Sequence, residues 1–518
     1  MRLKTKLLTC VCLFFSIIGC QTFHYDPSQR TDSYLMPMVK EGSIYQAITP
    51  LLEDKAPDQS AFHLLDDGLS AFVARAVLID QAQHSLDLQY YIFRQDVSGK
   101  ILIAKLIQAA ERGVRVRILL DDIGSALDNR WLATFNHHPN IELRVFNPVR
   151  GRSGLSRALQ QAGTFSQTNR RMHNKLLVAD SMIAITGGRN IGDQYFSNTH
   201  VDFQDLDVLA IGEIVKPSHQ YFDDYWNHVL SVPIDLLIEL DSEKSFSQLS
   251  SLTNQYLQDA KNSEFINALK QSNFLTQLRQ GRLDLSWGNA YVYADPPDKA
   301  LTEVEIGFEE MLGSKIGQVL ANGQQRLLIT SAYFVPTSAG MEFLQKQLKQ
   351  GVEISILTNA LSTTDVSAVH SKYRYYREPL IKAGAKLWEL RSSAKQTKRQ
   401  KWFRSRSQAS LHAKTFVIDQ DKSIVGSANF DPRSIKINTE MAILIVSASL
   451  NQKLARIFEN LTTPESAWKL ELDEDEDLSW HAIDKEQQPL VYDKEPETSW
   501  WMRFKVWLVS ILPIEDQI

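Results

Sequence analysis

A ten-residue segment occurs twice in this chain, 239 residues apart. RMHNKLLVAD (171–180) carries His173, Lys175 and Asp180; SLHAKTFVID (410–419) carries His412, Lys414 and Asp419. Both read His-x-Lys-x4-Asp, and each is followed, 17 residues after its histidine, by an asparagine in a small-residue turn: TGGRN with Asn190 and VGSAN with Asn429. The surrounding landmarks keep the offset, since Gly113 and Gly351, each closing an amphipathic stretch, lie 238 apart. An offset this constant argues for an internal duplication, and the period is far too long for a solenoid. The chain is expected to fold as two like halves.

Apolar spacing at Phe62, Leu65, Leu69, Phe72, Val73, Ala76, Leu78 and Ile79 predicts a helix over 61–83. SLDLQYYIF (85–93) predicts a strand, ILIAKLIQAAERG (101–113) a helix, and VRVRILLDD (114–122) a buried strand. The order returns as strand (326–335), helix (340–351) and strand (352–360). Strand–helix–strand order implies an α/β fold: two similar halves, each a mixed sheet covered by helices, packed around one shared active site. The halves are expected at 61–230 (motif about 167–194) and 301–450 (motif about 406–433). Between them, 231–300 reads as a mostly helical polar linker. The tail, 451–518, holds an acidic run, ELDEDEDL (471–478), read as a solvated face, and an aromatic C-terminal helix.

A strand turns alternate side chains to one face, so His173 and Lys175 point together, as do His412 and Lys414. Each half thus offers an imidazole and an ammonium to a common cleft. Two lysines and two donor asparagines suit a phosphoryl group and its developing charge. One histidine can attack phosphorus while the other protonates the leaving alcohol and then activates the acceptor. This scheme requires no metal and no other cofactor, because side chains supply the positive charge. A histidine so used needs a partner for its second ring nitrogen. Glu440, 28 residues after His412, suits that role for the second half. Asp205 is chosen for the first half, with Asp207 as the alternative.

All three cysteines, Cys10, Cys12 and Cys20, fall within the first 20 residues, which leaves the body without a disulfide, a cysteine nucleophile or a cysteine metal site. The N-terminus has a basic start (Arg2, Lys4, Lys6), an apolar run (7–18) and Ile17-Ile18-Gly19-Cys20, which resembles a bacterial lipoprotein box. Residues 1–19 are then a signal peptide, Cys20 the lipidated residue, and 20–60 a tether and arm. The protein is expected on the periplasmic side, and absence of Asp at position 21 points to the outer membrane. A net charge of −5 gives no global nucleic-acid signal.

GSANFDPRS (426–434) with NTE (438–440), GGRNIGDQYF (187–196), AYFVP (332–336) and LTNALSTTDVSAVHSKY (357–373) resemble bacterial cardiolipin synthases, especially the C type, within the phospholipase D superfamily. The resemblance covers about 85–450. It implies two fused halves forming one site, a phosphohistidine intermediate, the first-half histidine as attacker, and motif aspartates that hold the fold instead of acting as bases. One departure is that Gly188 stands where the second half has Ser427, a hydroxyl expected at the substrate.

Basic segments precede both motifs: RGRSGLSR (150–157) with Arg170 and Arg171, and SSAKQTKRQKWFRSRSQ (392–408) with Trp402 and Arg404. They suit lipid headgroups at an active-site mouth, a nucleic-acid backbone, or plain solvent. WWMRFKVWLVSIL (500–512) reads either as an interfacial membrane helix or as a helix docked on the core. The expected partners are a phospholipid substrate and a membrane surface, without nucleic acid. The sequence leaves the oligomeric state open. It also leaves open whether the acceptor is a lipid hydroxyl, giving cardiolipin synthesis, or water, giving a phospholipase D; a nuclease of the same superfamily is the more distant reading.

Overall fold

Among the described residues nine strands build the first half: β1 (Ser60–Leu65), β2 (Ser85–Tyr90), β3 (Arg115–Asp121), β4 (Ile141–Phe146), β5 (Leu176–Ala179), β6 (Ile183–Gly187), β7 (Val201–Gln204), β8 (Asp207–Gly212) and β9 (Ser231–Pro233). The second half holds β10 (Ser286–Ala294), β11 (Arg326–Ser331), β12 (Glu353–Asn359), β13 (Lys386–Leu390), β14 (Gln408–Leu411), β15 (Lys414–Ile418), β16 (Lys422–Gly426), β17 (Met441–Val446) and β18 (Ala467–Leu472), extended by β19 (Leu478–Ile483) and β20 (Pro489–Tyr492). The structure is a computed structural model, and it describes residues 26–125, 134, 136–149, 165–196, 201–238, 246–393 and 408–518.

Strand pairings order the first sheet β9-β4-β3-β2-β5-β6-β8-β1. The second runs β18-β13-β12-β11-β15-β16-β17-β10. The two match strand for strand, including parallel β2-β3-β4 and β11-β12-β13 cores. The equivalent edge strands β1 and β10 pair antiparallel, with Ser60 opposite Gly288 and Phe62 opposite Ser286. Joining equivalent edges relates the halves by an approximate two-fold and leaves one 18-stranded sheet.

Between β2 and β3 runs helix Val97–Glu111, started four residues earlier than its apolar pattern suggests because the Asp96 carboxylate accepts from Gly99 N–H. Gly113, at φ +96°, turns the chain out of it. The counterpart, Thr337–Lys349, is closed by Gly351 at φ +88°. Among the described residues apolar side chains form three clusters. One lies under the helices of the first half, and one under those of the second. The third is shared: Phe222, Tyr225 and Trp226 of helix Val215–Trp226 join Leu450, Leu454 and Phe458 of helix Ala448–Leu461. A shared core fixes the halves against each other and so fixes the cleft.

Two expectations about elements are corrected. The helix expected over 61–83 is β1 followed by helix Gly68–Gln81, because Asp66-Asp67 interrupts the run and Asp67 caps the helix through Ser70 N–H at 2.8 Å. The stretch expected as a helical linker holds helices Phe246–Asp259, Glu264–Gln271 and Phe274–Arg279, but ends in β10, which belongs to the second sheet.

The acidic run forms the turn between β18 and β19, where Asp473 accepts from the N–H groups of Asp475 and Asp477. Helix Trp500–Ser510 is docked: Val506 is buried, and Lys372 Nζ caps its C-terminus through Ser510 O (2.9 Å) and Leu512 O (2.7 Å). Yet Trp500, Trp501, Trp507, Leu508, Ile511 and Leu512 are half or more exposed. Among the described residues no helix is long and apolar enough to cross a membrane.

Candidate active site

Each histidine stands just before a short buried strand that is paired on both sides, β5 between β2 and β6 and β15 between β11 and β16. The backbone ahead of it is held from the end of a parallel strand. Asp121, last in β3, accepts from Met172 N–H at 3.0 Å, and Asn359, last in β12, accepts from Leu411 N–H at 2.8 Å. Asp121 and Asn359 were not foreseen. Their signal was positional, a polar residue ending an apolar strand at matched places, as in ILLDD and ILTNA.

The chain then crosses between halves. Thr439 N–H donates to Arg171 O and Thr439 O accepts from His173 N–H, both at 2.9 Å. On the other side β14 pairs parallel with β7, and His412 N–H donates to Gln204 O at 2.8 Å. The residue before each carboxylate therefore lies beside the other half's histidine. His173 Nδ1 meets Glu440 Oε2 at 2.9 Å, and His412 Nδ1 meets Asp205 Oδ2 at 2.6 Å. The expected pairings, Glu440 with His412 and Asp205 with the first half, are corrected: the carboxylates are exchanged. Asp207 is engaged elsewhere, by Arg75 at 2.8 Å and by Arg189 N–H at 3.1 Å.

Ser427 and Gly188 differ because their carboxylates differ. Ser427 Oγ donates to Glu440 Oε2 at 2.5 Å and accepts from Met441 N–H at 3.0 Å, so its proton goes to Glu440 and not, as expected, to a substrate. A Cβ on Gly188 would sit 2.1 Å from Asp205 Oδ1. The shorter aspartate takes that space and is held instead by Leu206 N–H at 2.8 Å. Both carboxylates thus have a second donor fixing them.

Lys175 Nζ donates to His173 O at 2.5 Å, and Lys414 Nζ makes the equivalent bond to His412 O. The Asn190 carbonyl accepts from Ile92 N–H (3.0 Å) and the Asn429 carbonyl from Tyr333 N–H (3.3 Å), which leaves the amide hydrogens for another acceptor. Asn190 Nδ2 is buried without a hydrogen-bond partner. Tyr91 packs edge-on to His173 at 4.9 Å, and Tyr195 and Phe203 pack on His412 at 5.2 and 5.0 Å.

Asp180 and Asp419, the last residues of the two motifs, face away from the cleft. Asp180 accepts from the N–H groups of Gln83, His84 and Ser85, and Asp419 from those of Gln324, Gln325 and Arg326. They tie each motif strand to the start of its neighbour. Arg170 and Arg171 depart from the expected mouth: Arg170 Nη1 donates to Lys299 O at 2.7 Å, and buried Arg171 donates to Asn147 O at 3.2 Å beside Asp121. Trp402, Arg404 and Cys20, like most of the two basic segments, lie outside the described residues.

The cations share one space. Burial pushes His173 down to about 4; Glu440 opposes this, while Lys175 and Lys414 add to it. Burial, then Lys414 and also Lys175, pushes His412 down against the pull of Asp205. Burial likewise brings Lys175 down to about 7 and lowers Lys414. Burial would raise the carboxylates, but His173 and Lys175 hold Glu440 below the usual range, and His412, Lys414 and Arg189 hold Asp205 well below it. Each half's lysine thus acts on the other half's histidine, and an anion among them relieves every one of these repulsions. Among the described residues no group of three or more His, Cys, Asp or Glu is placed to hold a metal ion.

The family model described as "Cardiolipin synthase, PLD-like domain" matches residues 76–226 and 316–462, once in each half. The chain belongs to this family. Among family members, cardiolipin synthase C of Escherichia coli (strain K12) is 38% identical over 473 residues, covering 90% of this chain and 98% of its own. Cardiolipin synthase 1 of Bacillus cereus is 24% identical over 437 residues, 83% of this chain and 72% of its own. In fold, the chain is similar to the phosphatidylserine synthase of Haemophilus influenzae Rd KW20, with a TM-score of 0.55 at 12% identity, covering 88% of this chain and 95% of that one.

Proposed function

We propose that the chain is a phosphatidyltransferase that works through a phosphohistidine and makes cardiolipin. The observation that carries this is the crossed pair of histidine–carboxylate contacts set among Lys175, Lys414, Asn190 and Asn429. An in-line displacement puts the leaving oxygen opposite the attacker, so two histidines take two different roles. His173, uncharged at neutral pH, attacks phosphorus through Nε2 while Glu440 holds its Nδ1. A P–N bond forms and the bond to the headgroup oxygen breaks. His412 gives that oxygen its proton; the phosphate's negative charge beside His412 favours the protonated imidazole. His412 then takes a proton from the glycerol hydroxyl of a second phospholipid, whose oxygen attacks phosphorus and breaks the P–N bond. The lysines and asparagine amides carry the charge on the phosphoryl oxygens.

The family relation supports lipid as the substrate. The exposed aromatic face of Trp500–Ser510 supports contact with a membrane surface. Ile17–Cys20 supports a lipid anchor at Cys20 and a periplasmic, outer-membrane location. The test is purified protein on vesicles of phosphatidylglycerol, with mass spectrometry of the products. Cardiolipin with release of glycerol is expected. Phosphatidic acid alone would make the protein a hydrolase, and cleavage of nucleic acid with no lipid product would overturn the reading.

A further inference from the structure

A cavity of about 880 Å³ lies in the second half between helices Leu312–Ala321 and Thr337–Lys349. Ile316, Phe343, Phe416 and Phe430 give it apolar walls, and Asn429, whose amide belongs to the cleft, is also part of its lining. Its charged lining residues already have partners: Lys436 Nζ meets Asp516 at 2.8 Å, and Glu515 accepts from the Tyr376 hydroxyl. Glycine keeps it open. Gly313 and Gly317 are one turn apart on the first helix, and a Cβ on Gly317 would meet nothing within 4 Å.

We infer that this cavity receives a fatty acyl chain of the phospholipid whose phosphate occupies the cleft. The inference rests on the phosphatidyltransferase reading and deepens it. The volume falls within the roughly 300–1,000 Å³ of ligand sites, which are mostly apolar with a few placed polar groups. An acyl chain covers these walls and gains the free energy of leaving water. Because Asn429 borders both spaces, a lipid held by its phosphate lies next to this cavity.

Gly317 provides the test, since it lines the cavity, a Cβ there would meet nothing within 4 Å, and a larger side chain suits a helix better than glycine does. Full-length protein and the variants Gly317→Ala, Gly317→Leu and Gly317→Trp are assayed on dioleoyl- and dihexanoylphosphatidylglycerol, both in the same detergent micelles, with thermal melts as the folding check. The long-chain to short-chain rate ratio is expected to fall stepwise with side-chain size, by about tenfold or more at Trp. If Trp does not fold, the Ala and Leu variants carry the trend. A ratio that stays constant across the folded variants overturns the acyl site. Unaltered protein that turns over neither lipid overturns the phosphatidyltransferase reading, and the acyl site with it.

Discussion

His173 and Glu440 stand 267 residues apart in the chain and 2.9 Å apart in the structure. His412 and Asp205, 207 residues apart, repeat the relationship at 2.6 Å. Each half therefore holds the ring that the other half presents, and neither half contains a complete histidine–carboxylate pair.

Glu440→Gln and Asp205→Asn keep the shape and remove the charge that orients and stabilises the imidazolium. Each is expected to lower kcat by about 10²–10⁴-fold, with a much smaller change in KM. Steady-state kinetics check this. A loss confined to KM would show that the carboxylates serve binding instead.

Gly188→Ser is expected to damage the site although it copies the second half, because the new Cβ would lie 2.1 Å from Asp205 Oδ1. A fall of about 100-fold in kcat is expected. Gly188→Ser with Asp205→Glu reproduces the Ser427–Glu440 arrangement, so the double variant is expected to recover part of the loss. Kinetics of the two single variants and the double variant measure the coupling, and strictly additive losses would contradict it.

Asp180 and Asp419 each satisfy three backbone N–H groups, so Asp180→Ala and Asp419→Ala are expected to act on stability. Hydrogen bonds to a charged group are worth about 1.5–3 kcal/mol, and a loss of about 2–4 kcal/mol per variant is expected. Denaturant unfolding reads that loss. The kcat of the folded fraction should stay within about tenfold of the parent, whereas an aspartate used as a base would cost far more.

The duplication was legible because it is written in types and spacing: two His-x-Lys-x4-Asp segments and two asparagines 239 residues apart, and two helix-ending glycines 238 apart. A parallel or mixed sheet covered by helices followed from the strand–helix–strand order. The exchange of Glu440 and Asp205 was not legible, since it depends on Thr439 pairing beside His173 and on β7 beside β14, contacts between segments far apart in the chain. Ser427 and Gly188 were visible as a difference, but its cause, a glutamate reaching where an aspartate sits close, needs coordinates. β1 was lost because SAFHLL joins the following helix in one apolar pattern, and the cap at Asp67 shows only once its bond to Ser70 is seen.

The pH profile follows from the signs of three shifts, those of His173, His412 and Lys175. His173, at about 4, loses its lone pair to a proton only as the pH falls through that value; Lys175, at about 7, loses its charge as the pH rises through it. kcat/KM reports the free enzyme and is expected to decline below about 4, to fall again as His412, lowered from the ordinary 6.5, loses the proton it must give, and to fall further above about 7. An alkaline limb near the ordinary lysine value of 10.5 would show that no lysine charge is lost near neutrality.

The phosphohistidine is open to direct capture. His173→Ala and His412→Ala are each expected to lose several orders of magnitude in turnover while melting close to the parent, because each ring serves its own chemical step. A single turnover with phosphatidylglycerol radiolabelled in its phosphate, quenched and mapped by peptide, is expected to place an acid-labile label on the peptide containing His173. Label on the His412 peptide would exchange the two roles. A complete turnover with no label on either histidine, in the parent and in the His412→Ala variant alike, would contradict the covalent mechanism itself.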